Sequence, residues 1–278
     1  MPENAKLSAA AEFSIDFVRE KLAGKKLIAL TGAGISTDSG IPDYRGQGKT
    51  PRHPMTYDVF MGSAEAQVRY WARSFVGWNR IAESKPNLGH FAIADAERGG
   101  KITSVITQNV DQLHQKAGSK KVIDLHGRLD MVRCVNCGFQ LARSEMDNLL
   151  TALNPDVRKD NAIEFTPDGD AEVEIGANFK IPSCPNCSGI LKPDVVFFGE
   201  SVPASRVELA MAKLDEADAL LVAGTSLAVN SGLRFARRAA RAGQPIVIVN
   251  LGPTKADELA FAKIEANTSL VLERLLND

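Results

Sequence analysis

The sequence predicts an α/β fold: a Rossmann-like parallel sheet with a small metal-stapled module inserted into it and a helical segment beside it. Three observations carry the prediction. Short apolar runs alternate with helix-length stretches, and each run ends in small or polar residues, as in a sheet covered on both faces. All four cysteines stand in two C-x-x-C pairs between two such runs. The first run breaks directly into Gly32-Ala33-Gly34, the kind of turn with which doubly wound folds hold phosphates.

The 278 residues suffice for one large domain with an appended module, or for two domains. A 44% apolar content is ordinary for a globular protein, and a formal net charge of −1 gives no electrostatic reason for general affinity to nucleic acid or anionic membrane. No apolar run approaches the ~20 residues of a membrane span. Residues 1–25 carry Glu3, Glu12, Asp16 and Glu20, and lack both a signal-peptide apolar core and the acid-poor character of a transit peptide. A cytoplasmic bacterial protein is expected.

Taken in order, Ser8 to Leu22 reads as an amphipathic helix with Phe13, Phe17, Val18 and Leu22 on its apolar side and Gly24 as its stop. Residues 26–31 form a buried strand. In Gly32–Ser36 the missing side chains let backbone N–H groups approach a phosphate, although an isolated G-x-G is equally an ordinary tight turn. Residues 40–45 (Gly-Ile-Pro-Asp-Tyr-Arg) are too polar and too punctuated for core, and Gln47–Pro54 reads as a mobile loop. A helix from about Ser63 to Glu83 carries Val68, Trp71, Phe75 and Trp78 at three- and four-residue steps, a core stripe rather than a cofactor box. Another helix runs from Pro86-Asn87 to Gly99-Gly100. Strand 102–106 leads into Gln108, Asn109 and Asp111, where open α/β sheets place binding residues; capping a helix 110–117 is the plain alternative for the last two. Strand 122–125 ends in His126-Gly127, a position suited to acid/base work near neutral pH. His53, His90 and His114 are assigned structural roles.

Cys134, Cys137, Cys184 and Cys187 look like two knuckle turns presenting thiolates to one tetrahedral zinc, a zinc-ribbon module. Without a secretion signal disulfides are not expected; free thiols or a redox pair are the alternative. Four cysteine ligands leave no open position, so the zinc is structural. Residues 154–179 between the pairs are acidic and turn-rich, a solvated face. The parallel pattern is expected to resume with strand 194–198, ending in Gly199-Glu200. Then come a helix 203–216, a strand 219–223 into Gly224-Thr225-Ser226, and a helix 231–241 whose Arg234, Arg237, Arg238 and Arg241 form a solvated basic face. Strand 245–249 ends in Asn250, and a helix 268–276 follows. Residues 1–127 and 194–278 are thus expected to form the large domain, with 46–86 as its cofactor loop and the helical part of the small domain, and 128–193 as the zinc module. In a parallel sheet the strand ends Gly32, Gln108, His126, Gly199, Gly224 and Asn250 lie along one edge, the crevice of a nucleotide enzyme. The acid that a dehydrogenase carries ~20 residues after its glycines is missing, so the cofactor is not expected to lie as in a dehydrogenase.

Gly32-Ala-Gly-Ile-Ser36, Gly40-Ile-Pro-Asp-Tyr-Arg45, Thr107-Gln-Asn-Val-Asp111, His126-Gly127, the four cysteines, Pro193–Glu200, Gly224-Thr-Ser-Leu227 and Val249-Asn250 resemble the sirtuin signatures, in family order over roughly residues 25–270. Arg69–Trp78 and Pro253–Leu259 resemble the class II branch, which includes the mitochondrial lipoamidase and ADP-ribosyltransferase type. The resemblance implies an NAD-consuming protein-lysine deacylase with one structural zinc. It would act on acetyl or longer, lipoyl-type acyl groups of proteins or peptides, without nucleic-acid or membrane partners, as a monomer. It further implies that Gly32, Ala33, Gly34 and Ser36 grip pyrophosphate and that Asp43, Tyr44 and Arg45 close over the nicotinamide end. Gln108, Asn109 and Asp111 would hold NAD, with Asn109 and Asp111 catalytic beside His126, the general base for a ribose hydroxyl. Gly224, Thr225, Ser226, Asn250, Leu251, Gly252 and Thr268 would meet the second phosphate or adenosine, and Val196, Phe197, Gly199, Glu200 and Val229 the substrate peptide by β-addition. Succinyl-selective relatives carry a Tyr-x-x-Arg pair where Ser74 and Gly77 stand here, so a strong succinyl preference is not expected. A mono-ADP-ribosyltransferase and a non-catalytic NAD or ADP-ribose sensor stay open as alternatives.

Overall fold

The computed structural model describes residues 7–43, 54–157 and 178–277. Tyr44, Arg45, the Gln47–Pro54 loop save Pro54, and most of the acidic 154–179 stretch lie outside the described residues.

The N-terminal helix α1 (Ala9–Lys21) starts where Ser8 accepts a hydrogen bond from the Ala11 N–H. Its buried side is Ala11, Ile15, Val18 and Leu22, whereas Phe13 and Phe17 face solvent, Phe17 stacked on Phe261. The expected apolar stripe was therefore rotated: Ile15 fixes the buried face. Strand β1 (Leu27–Thr31) is buried throughout and runs into two short 3₁₀ turns over Ala33–Ser39. Helices α2 (Tyr57–Gly62), α3 (Ala64–Glu83) and α4 (Leu88–Arg98) follow, then β2 (Ile102–Thr107), α5 (Leu113–Ala117) and β3 (Val122–Asp124). The expected helix 110–117 begins only at Leu113. Gln112 takes a left-handed conformation (φ 63°), and Asp111 Oδ1 accepts from the Leu113 N–H.

The inserted part comprises β4 (Gly127–Cys134), β5 (Gln140–Ala142), α6 (Arg143–Leu153) and β6 (Leu191–Val195). The chain then returns through α7 (Ala204–Asp215), β7 (Ala219–Ala223), α8 (Asn230–Arg241), β8 (Ile246–Val249), β9 (Ala262–Ile264) and α9 (Thr268–Leu276). Among the described residues no helix is long and apolar enough to cross a membrane.

Among the described residues six strands form one parallel sheet in the order β3-β2-β1-β7-β8-β9. Numbered by their appearance within this sheet, that is the doubly wound order 3-2-1-4-5-6, whose switch point lies between β1 and β7. Two separate apolar clusters cover its faces, one under α1, α4 and α9 and one under α7 and α8. A second, antiparallel sheet has the order β5-β4-β6. The strand expected at 194–198 in the large sheet is corrected here: β6 ends at Val195 and pairs with β4, Val195 opposite Gly127. A continuous apolar run looks the same in either sheet, so periodicity could not tell them apart.

The aromatic stripe of α3 is core, as its spacing indicated. Trp71 and Phe75 are buried with Leu141, Met146, Leu150 and Leu191 in one cluster, so the helical segment and the cysteine module share a single core. At its centre Arg143 is 1% exposed, its guanidinium 5.5 Å from the Trp71 ring and 4.8 Å from that of Trp78. It also donates to the Ser74 carbonyl (3.2 Å) and pairs with Asp147 (3.3 Å).

Candidate active site

The C-terminal ends of the parallel strands open onto one cavity of about 1450 Å³, above the ~300–1,000 Å³ typical of drug-sized ligands and roomy enough for a dinucleotide beside a second substrate. Its floor is the switch point. Gly34 N–H donates to the Gly224 carbonyl (2.8 Å), and the backbones pass so closely that a Cβ on Gly34 would stand 2.9 Å from Gly224 Cα. A Cβ on Gly224, at φ +62°, would stand 2.3 Å from Ile35 N. Only glycine fits either place, and the floor is backbone, as a pyrophosphate cradle requires.

Beside the floor lies a polar network. Ser36 Oγ donates to Asp111 Oδ2 (2.7 Å), and Asn109 Nδ2 donates to Ser36 Oγ and to the Gly32 carbonyl (both 3.1 Å). Asp111 is 6% exposed; burial raises its pKa, against the lowering effect of the Leu113 N–H and the Ser36 hydroxyl. The helix-capping alternative for Asp111 is therefore realised on one oxygen while the other serves this network.

His126 faces the cavity from the turn between β3 and β4. Its Nδ1 is 3.0 Å from the Gln108 carbonyl oxygen and its Nε2 2.8 Å from Ser231 Oγ. A carbonyl only accepts, so Nδ1 bears the hydrogen and Nε2 keeps its lone pair. Burial lowers the His126 pKa below 6.5; the Gln108 hydrogen bond opposes this and the Arg206 guanidinium adds to it. Gln108 is itself pinned, its Nε2 donating to Thr225 Oγ1 (3.0 Å). His90 and His114 lie outside the cavity lining as buried structural residues, His114 Nε2 2.9 Å from Thr31 Oγ1 and His90 in the N-terminal capping box of α4. His53 lies outside the described residues.

Val196 and Phe197 continue the chain beyond β6 into a turn closed by the Glu200 N–H donating to the Phe197 carbonyl (3.0 Å), with Gly199 at φ 83°; these residues and Val229 line the cavity. The Val196 N–H donates to the His126 carbonyl (2.7 Å), and Glu200 accepts from the Phe197 N–H (2.9 Å). Beneath the turn the buried Lys192 pairs with Glu200 (3.0 Å) and lies 4.7 Å from the Phe197 ring centre. Burial lowers the Lys192 pKa and Glu200 counteracts it.

Of the residues expected at the cofactor site, Gly32, Ala33, Gly34, Ser36, Asp43, Gln108, Asn109, Asp111, Gly224, Thr225, Ser226, Asn250, Leu251 and Gly252 all line this cavity. Thr268 does not: it is buried at the start of α9, a helix that packs on α4 away from the crevice. Ser74 and Gly77 are buried in α3 and also lie outside the lining. The sirtuin resemblance put Ser231 only at the end of a substrate-clamping loop, Leu227–Ser231, Arg234 was read as part of a solvated face and Glu265 was passed over; all three line the cavity. A serine or arginine in a helix of mixed polarity gives no separate signal, and the short β9 that delivers Glu265 was not anticipated.

The four cysteine sulfurs lie within 4.8 Å of one another, with Cys134–Cys187 at 3.5 Å and Cys137–Cys184 at 3.6 Å. Tetrahedral ligation at ~2.3 Å sets sulfurs about 3.8 Å apart, so the set fits one zinc. The two knuckles match: Gly138 N–H donates to the Cys134 carbonyl (3.1 Å) and Ser188 N–H to that of Cys184 (2.8 Å), both residues left-handed.

Residues 32–231 match the Sir2 family. An NAD-dependent protein deacetylase of Xanthomonas campestris pv. campestris (strain 8004) is 52% identical over 253 residues, 89% of this chain and 86% of the relative. NAD-dependent protein deacetylase 1 of Mycobacterium avium (strain 104) is 49% identical over 261 residues, 92% and 93% of the two chains. A solved Sir2 complex with p53 peptide and NAD+ superposes with a TM-score of 0.75 at 32% identity, covering 94% of this chain and 95% of that one. Sir2Tm bound to a propionylated peptide gives 0.74 at 31%, covering 94% and 96%.

Proposed function

The chain belongs to the Sir2 family and is an NAD-dependent protein deacetylase, and from that premise we propose how its crevice divides the work between residues. One observation carries the proposal: His126 lines the cavity with Nδ1 on the Gln108 carbonyl and Nε2 beside the Ser231 hydroxyl, which leaves Nε2 as the accepting nitrogen of the neutral ring that burial favours. Such a group takes a proton from a ribose hydroxyl at neutral pH. NAD, when bound, would supply the ribose anomeric carbon from which the acyl oxygen displaces nicotinamide.

The backbone of Gly32–Gly34 and Gly224–Ser226 grips the phosphates across the switch point. Asn250, Leu251 and Gly252 at the end of β8 receive the adenosine side. Ser36, Asn109 and Asp111 set the inner wall for nicotinamide, where a mutually satisfied buried network keeps bulk water out. Tyr44 and Arg45 belong with Asp43 as the closing segment. The segment 196–200, made rigid by Lys192, pairs with an extended peptide while Val229 confines it from the other side. Ile41, Val110 and Phe197, apolar and on the cavity wall, surround the acyl chain. Residues 1–127 and 194–278 act as the nucleotide-binding domain, and 128–193 with the helices of 46–86 as the module that carries the zinc.

We place the chain in the class II branch on Arg69–Trp78 and Pro253–Leu259, acting as a cytoplasmic monomer. With Ser74 buried against Arg143, no cationic fork lines the acyl wall at that position, which favours neutral acyl groups from acetyl to lipoyl over succinyl. The test is turnover of acetyl-, lipoyl- and succinyl-lysine peptides by the native protein and by His126→Ala. The native protein is expected to favour the neutral acyls, and His126→Ala to lose deacylation by about 10²–10⁴-fold with fold and zinc content kept. Near-native turnover by His126→Ala would remove the base assignment, and a succinyl preference the acyl one.

A further inference from the structure

We infer that Ser231 is a positioning residue for the general base: its hydroxyl holds His126 Nε2 in the resting enzyme and hands that nitrogen to the incoming ribose hydroxyl. The inference rests on the reading above, in which His126 accepts the proton. Because the Gln108 carbonyl claims the Nδ1 hydrogen, the contact of 2.8 Å at Nε2 has one polarity, with Ser231 O–H donating. Both ring nitrogens are therefore tied. With Gln108 alone, the imidazole would be free to swing about a single contact.

The aim of Ser231 is set by backbone. It stands in the first turn of α8, and its neighbour Gly232 lies so close to the Gln108 side chain that a Cβ there would stand 2.6 Å from Oε1. Gln108 thus fixes both ends of the arrangement. Its carbonyl sets Nδ1, and its side chain, braced by Thr225, sets the distance at which α8 presents Ser231. Ser231 also lines the cavity, so a ligand reaches its hydroxyl and Nε2 together.

A hydroxyl suits this task better than a fixed N–H donor. It donates to the neutral ring and, after turning about Cβ–Oγ, accepts from the protonated one. The proton leaves the ribose hydroxyl for Nε2, the O–H electron pair stays on the ribose oxygen, and Ser231 changes from donor to acceptor. Ser231 gains and loses only hydrogen bonds.

The experiment compares Ser231→Ala, Ser231→Thr and the native protein in two assays: steady-state deacylation of an acetyl-lysine peptide, and exchange of labelled nicotinamide into NAD, which precedes the proton transfer. For Ser231→Ala, deacylation kcat is expected to fall about ten-fold, the worth of one well-made hydrogen bond. Both KM values should stay within about two-fold, so the exchange-to-deacylation ratio rises about ten-fold. Ser231→Thr, which keeps the hydroxyl, restores the native ratio. Ser231→Cys, of similar volume but a weak donor, follows Ser231→Ala and replaces it should the alanine variant melt early. A native ratio in both Ser231→Ala and Ser231→Cys, or a Ser231→Thr variant as impaired as Ser231→Ala, overturns the inference. Failure of the underlying reading shows elsewhere, as deacylation that survives His126→Ala.

Discussion

As the proposed general base, His126 works only while its ring is neutral, a state set by burial and by two neighbours. Burial disfavours the imidazolium, the Gln108 carbonyl favours it, and the Arg206 guanidinium repels it. Removing the Arg206 charge eases protonation of His126, raises its pKa and moves the acid limb of the kcat/KM profile to higher pH. Arg206→Gln is expected to shift that limb to higher pH with the plateau unchanged, since the cation disfavours the imidazolium. Arg206 also pairs with Asp194 (3.7 Å), which keeps its second partner, Arg133, at 3.8 Å, so the substitution leaves no lone carboxylate. An unmoved limb would show that Arg206 is not felt at the ring. The place of His126 on the cavity was legible because a residue ending a parallel strand reaches the crevice, while its role as base was implied only by the sirtuin resemblance. The Ser231 contact was not legible, because a serine near a helix start reads as a cap and its partner lies 105 positions away.

The crevice depends on two turns meeting, the one after β1 and the one after β7. Gly224→Ala places a Cβ against Ile35 N in a left-handed backbone. The strained φ alone costs roughly 1–3 kcal/mol, and relief requires the turns to part. Differential scanning calorimetry is expected to show a lowered Tm, and titration with ADP-ribose a loss of affinity beyond what the lowered Tm explains. Full affinity in a folded Gly224→Ala protein would mean that the cradle lies elsewhere. The glycine turns, β1, β2, β7, β8, α3 and α9 were readable from the sequence, since burial on both faces and helical spacing leave local marks. Strand β6 was placed in the wrong sheet because partner choice is not local, and α6 escaped because its core contacts include a buried arginine. The stripe of α1 was misread because Phe13 and Phe17, the obvious apolar anchors, stay exposed while Ile15 is buried.

Two bodies with separate cores form the molecule: the parallel sheet with its helices, and the cysteine module merged with α2 and α3. The second body holds β4 and β6, whose near ends carry His126 and the segment 196–200, so the metal supports the active site from a distance. Cys134→Ser is expected to lower Tm and bound zinc together, because the metal contributes folding energy. A metal-free preparation of full stability would contradict that. Strand-end convergence on one crevice was foreseeable from the parallel pattern, and helices of 46–86 were expected in the small domain, while Arg143 as the centre they share with the cysteine module was not, since buried cations carry no sequence signature. The central claim is that this crevice cuts NAD and moves an acyl group onto it. Its most direct test is mass spectrometry of all products from one incubation of the protein with NAD and an acetyl-lysine peptide. Free peptide, nicotinamide and acetyl-ADP-ribose should form in equal amounts. Nicotinamide formed with the peptide still acetylated, or ADP-ribose attached to protein in its place, would contradict it.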